Sequence, residues 1–210
     1  GNITAFWIQM AAVEIILIVA LPSYIHRVVC TLGAATAVSG LLFEMHALPL
    51  STALASLLFV FLWLGERRWA GRESALAPVA IGMALVLTLW DAPALMKSGE
   101  TVKLLAPGQN LTRHVALILE AAAWLGLTGG MLQRAGIAPA STAGITVLIT
   151  AAAAAAFAWW APGLLPALMV LVVGFGSGQR FLLGLGLLSL AAFLSGYYYN
   201  LEATLLVKSI

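Results

Sequence analysis

Charge is scarce in this 210-residue chain: 8 acidic and 10 basic side chains amount to 9% of it, against roughly a quarter in an ordinary soluble domain. So little charge cannot cover a water-facing surface. The ten cations are scattered rather than clustered, which excludes a basic face able to track a phosphate backbone, so no nucleic acid partner is expected. Cysteine is scarcer still. A single Cys30 excludes an intramolecular disulfide, a zinc knuckle, an iron–sulfur site and a CxxC redox pair, and its thiol reads as a small apolar filler.

The residues that carry chemistry lack their usual company. His26, His46 and His114 are dispersed, with no HxxxH or HExxH spacing among them, so no metal site and no b-type haem is expected. Glu44 and His46 come nearest, but two residues apart on a helix they point in different directions. There is no GxSxG, and Asp91 has no adjacent His–Ser pair. The glycine runs Gly174-Phe-Gly-Ser-Gly178 and Gly184-Leu-Gly186 lack the preceding strand and following acid of a dinucleotide loop. No catalytic residue and no cofactor is legible.

What the chain has in excess is apolar surface. At 62% hydrophobic and a mean hydropathy of +1.04, its solvent has to be the lipid bilayer. At about 20 residues per span, eight spans would use about 160 residues. Apolar runs lie at 3–21, 28–43, 50–65, 75–90, 114–132, 141–161, 164–177 and 181–200. Helices are expected, because lipid offers a backbone N–H no partner and these runs lack the alternation of a barrel strand. The reading is an all-α polytopic transmembrane bundle of about eight spans, seven to nine depending on how the shorter runs are counted, forming one domain. Pro78 and Pro166 are placed in the first turns of the fourth and seventh spans. The stretch Asp91–Arg113 is read as an external irregular loop.

Orientation follows from the cations. Short loops on one side collect Arg27, Arg67, Arg68, Arg72, Arg134 and Arg180, whereas Lys97, Lys103, Arg113 and Lys208 fall on the other. The positive-inside rule makes the arginine side cytoplasmic and both chain ends external. Residues 1–26 contain no Lys or Arg, so the start is not a secretory signal, and a segment upstream of this chain is expected. Trp90, Trp159, Trp160 and Tyr197, Tyr198 and Tyr199 are interface anchors. The pairs Gly126/Gly130, Gly174/Gly178 and Gly33/Ala37, with the run Ala151 to Ala156, are read as helix-packing positions.

Two acids fall deep within spans, Glu14 in the first and Glu120 in the fifth. Ionisable groups at that depth normally face the bundle interior and pair or lose their charge. Either carboxylate serves as a relay or binding group, or else fixes packing through a hydrogen bond to a neighbouring helix. Glu120 is the better candidate, with Trp124 one turn on and His114 opening the same helix.

The last thirty residues, 181–210, resemble the end of a family of bacterial inner-membrane proteins with a domain of unknown function. In that family an aromatic helix end is followed by a Y-Y-x-L-x-x-T-L-L-x-K-S pattern and one further apolar helix. The matching residues here are Tyr198, Tyr199, Leu201, Thr204, Leu205, Leu206, Lys208 and Ser209. The resemblance implies a bacterial inner-membrane location and genes placed beside those of other membrane proteins, one a small anchored partner with a GDYxxLxY-type signature. It also implies a further crossing beyond Ile210. The expected function is a non-catalytic membrane scaffold or accessory subunit that holds other membrane proteins. The alternative is a transporter or lipid-handling protein using Glu120, Glu14 or both, and an enzyme ranks third.

Overall fold

The computed structural model describes residues 2–65, 73–96, 109–161 and 163–200, with side chains omitted at 73–75, 90–96, 109–110, 197 and 199–200. Arg67, Arg68, Arg72, Lys97, Lys103 and the part of the C-terminal motif from Leu201 to Ser209, Lys208 included, lie outside the described residues. So do the side chains of Trp90, Tyr197 and Tyr199. Eight helices and no strand make up what is described: α1 Ile3–Ala20, α2 Tyr24–Glu44, α3 Pro49–Gly65, α4 Glu73–Met96, α5 Gln109–Arg134, α6 Thr142–Phe157, α7 Leu164–Ser177 and α8 Arg180–Asn200.

The helix ends follow local chemistry. Leu21, held extended by the proline after it, closes α1. Pro49 opens α3, where its missing N–H costs nothing. At the end of α2, Ala47 N–H donates to the Leu42 carbonyl and His46 N–H to that of Phe43. The same double bond pattern closes α5 through Ile137 to Leu132 and Gly136 to Gln133. Both are Schellman turns, which need a left-handed residue: Gly136 at φ 70° in one and, unusually, His46 at φ 55° in the other. Ser141 caps α6 by accepting from Gly144 N–H at 3.1 Å.

Two sequence expectations change. The helix α4 continues past Trp90 to Met96 and α5 starts at Gln109, so the stretch Asp91–Arg113 has helix at both ends. The stretches Ala94-Leu-Met96 and Gln109-Asn-Leu111 hold no glycine, and Pro107-Gly108 lies just before α5. Pro78 is the sixth residue of α4 rather than part of its first turn, so it deprives the Ser74 carbonyl of its usual i+4 donor.

Three described helical stretches, Ile3–Ala20, Tyr24–Glu44 and Leu111–Arg134, are long and apolar enough to cross a membrane, and five shorter apolar stretches accompany them. The chain is an all-α membrane bundle. Residue pairs fix the relative directions. Trp7 lies on Gly40 and Glu14 on Gly33, so α1 and α2 are antiparallel. Trp124 reaches Ala151 and His114 stacks on Trp159, so α5 and α6 are too. Leu171 against Gly186 and Leu182 against Gly174 make α7 and α8 antiparallel, and Leu64 on Gly130 with Arg134 on Trp63 brings the C-terminal ends of α3 and α5 together.

At the centre α3, α4, α5 and α7 share a core that includes Phe59, Leu87, Leu127, Met169 and Val170. Around it α1 packs on α2, α6 on α5, and α8 on α7 and α4. The tightest seam is between α7 and α8. A Cβ on Gly174 would fall 2.7 Å from the Leu182 carbonyl carbon, and one on Gly186 2.6 Å from Leu171 Cα. These glycines let two backbones touch, the main source of helix association where lipid removes the hydrophobic drive. Gly178, expected as the packing partner of Gly174, instead makes the left-handed turn between the two helices, at φ 68°. In the alanine run only Ala151 is buried at 3% exposure, because α6 meets the bundle on one face.

Candidate functional site

The polar groups of the bundle divide into three places. On α1, Glu14 turns toward α2, and its carboxyl group fills the space over Gly33, where a Cβ would come within 2.7 Å of Cδ and Oε1. The Cys30 thiol, buried one turn before Gly33, sits close to the same carboxyl group. Arg27 completes this hairpin: its Nε lies 3.1 Å from both the Ile18 and the Leu21 carbonyls, capping the open end of α1 with a cation.

Among the described residues Glu120 is the buried acid, 7% exposed on the α5 face that also buries Ala116, Ala123, Trp124 and Leu127. The Trp124 indole is committed elsewhere, donating to the Ala151 carbonyl at 2.9 Å and tying α5 to α6. His114, one and a half turns before Glu120, is exposed and stacks on Trp159 with ring centroids 5.0 Å apart. The structure does not bring the two candidate acids to one interface, since α1 packs chiefly on α2 while α5 packs on α3, α6 and α7. Among the described residues no three His, Cys, Asp or Glu side chains gather as metal ligands. Tyr198 is half exposed near the end of α8, and Trp159 and Trp160 are exposed just past α6.

The third place is the end of α5, which sequence reasoning used only to set orientation. Arg134 is half-buried, and its guanidinium donates to the Trp63 carbonyl near the end of α3. It also lines two grooves, one on either side of α5. The groove between α3 and α5 measures about 840 Å³, and the one bounded by α5, α6 and α7 about 580 Å³. An arginine in the last turn of a helix is a capping signal. The carbonyl it reaches and the grooves beside it are set by which helix stands next to it.

A family model described as a domain of unknown function, DUF4401, matches residues 1–210. The chain belongs to the DUF4401 family. That match extends the resemblance from the C-terminal segment to every helix of the bundle. No curated protein and no solved structure matches the chain.

Proposed function

We propose that this DUF4401 chain is a non-catalytic scaffold or accessory subunit of a larger assembly in a bacterial inner membrane, with its arginine-bearing ends cytoplasmic. The observation that supports this reading is the outer face of α1. Thr4, Trp7, Ala11, Glu14 and Ile18 fall on the half-buried side that meets α2. Ala5, Gln9, Ala12, Ile16 and Val19 recur at steps of four and three along the other side, all exposed. A polar Gln9 on that exposed side suits a helix with a second neighbour. Gln9 sits about 9 Å along the axis from the start of α1. A carboxamide there has no partner in hydrocarbon, and a hydrogen bond across to another helix contributes about 1 kcal/mol.

A photo-cross-linking residue placed at Ala12 tests this in native membranes. A discrete protein adduct, lost with Gln9→Leu, is the expected outcome; lipid adducts alone would sink the docking surface.

A second reading, a transporter or lipid-handling protein, draws on the burial of Glu120. Glu120→Gln separates the two. Loss of a proton-coupled flux with assembly intact favours the transporter, whereas retained flux with co-purification unchanged removes Glu120 from any transport role.

A further inference from the structure

We propose that α1 pairs with the α1 of a second copy of this chain, face to face through Ala5, Gln9 and Ala12, in a dimer whose two-fold axis stands normal to the membrane. This rests on the reading of the outer face of α1 as a docking surface, and names its occupant. Room for a neighbour is there. No residue of α1 is buried and α1 packs chiefly on α2, so most of its circumference faces away from the bundle.

Gln9 is the group that needs a partner. The exposed hydroxyls of Thr36, Thr146 and Thr150 donate to carbonyls one turn back on their own helices, at 2.8 to 2.9 Å, and so require nothing of a neighbour. Gln9 makes no such bond: its exposed carboxamide has no hydrogen-bond partner among the described residues. It presents two N–H donors and a carbonyl acceptor to a medium that has neither to return.

Depth and symmetry choose the partner. Copies of one membrane chain share a topology, set by the same cations, and a two-fold axis lying in the membrane plane would invert one of them. The axis of a closed dimer therefore lies along the membrane normal, where a helix meets its own copy in parallel with like residue opposite like. Gln9 then finds Gln9 at its own depth, and because a carboxamide both donates and accepts, each donates to the other. A different protein would have to bring a polar side chain to that same depth. About one turn to either side, Ala5 and Ala12 carry only a methyl group, which lets the two backbones approach closely enough for the pair to form.

Cysteine cross-linking of the full chain tests the dimer, in membranes from cells that express two differently tagged copies. In a Cys30→Ser background, which removes the single cysteine, Ala5→Cys and Ala12→Cys are oxidised with copper phenanthroline. A disulfide-linked adduct carrying both tags is expected at each position. Phe6→Cys and Val13→Cys are the controls. Both positions are exposed and each is turned about 100° around the helix from the alanine before it, so random collision would link them as readily, whereas the proposed face leaves them unlinked. Gln9→Leu adds only apolar surface at an exposed position and leaves the fold intact; it should lower the yield about fivefold, as the loss of one interhelical hydrogen bond would give. Absence of an adduct with both tags, equal yields at all four positions, or a yield unmoved by Gln9→Leu would each overturn the proposal. A photo-adduct at Ala12 to a different protein, with no cysteine-linked dimer, would overturn the dimer and keep the scaffold reading, whereas lipid adducts alone would remove both.

Discussion

Glu14 on α1 occupies the space that a side chain on Gly33 of α2 would need, its Cδ and Oε1 both 2.7 Å from where that Cβ would stand. Seven residues away in each helix, Trp7 lies on Gly40 in the same way. The hairpin is thus held by two large residues on one helix meeting two glycines on the other. Gly33→Ala should destabilise the bundle only modestly, by less than about 1 kcal/mol, because the atoms in the way are the mobile end of the Glu14 side chain. The cost should largely vanish in a Glu14→Ala background. Thermal unfolding of the single and double variants in detergent gives the coupling, and strictly additive costs would show that the two positions do not meet.

The α7–α8 seam makes a sharper comparison. Gly174 faces backbone atoms of Leu182 and Leu183, which cannot rotate away, while a Cβ on Gly184 meets nothing within 4 Å. Gly174→Ala is therefore expected to lower the unfolding temperature clearly, and Gly184→Ala to leave it level or raise it slightly, since alanine favours helix over glycine by about 1 kcal/mol. Equal effects at the two sites would contradict the seam.

His46 closes α2 in a left-handed conformation that Gly136 adopts at the equivalent turn after α5. His46→Gly should stabilise the chain by up to about 1 kcal/mol, by relieving the Cβ penalty at positive φ. Gly136→Ala should do the reverse by a similar amount. A stability loss in His46→Gly would mean that its side chain contributes more than its backbone strain costs.

The proposed orientation has its own measurement. In a Cys30→Ser background, a cysteine at Ala47, after α2, should react with an impermeant maleimide added outside cells. One at Ala140, between α5 and α6, should react only after the membrane is opened. The reverse pattern would invert the bundle.

How much of this was legible before the helices were assembled differs from residue to residue. Ile3–Ala20 and Leu164–Ser177 coincide with their apolar runs within a residue, because lipid forces every backbone polar group into a helix and hydropathy reports that directly. Glu120 was legible as a buried acid for the same reason. Arg134 was legible only as a cation at a helix end, and Gly178 was assigned to packing although its role is a turn.

Sequence alone determined that this chain is an α-helical membrane protein, roughly where each helix runs, and that its few intramembrane acids are the unusual groups. Tertiary structure alone decided that Glu14 meets Gly33 and Cys30, that Gly174 pairs with α8, and that Arg134 stands between two grooves. The reason is the solvent. In water a polar face marks the outside of a helix, but in a bilayer the lipid-facing and bundle-facing sides are equally apolar. Periodicity then cannot say which neighbour a residue will meet.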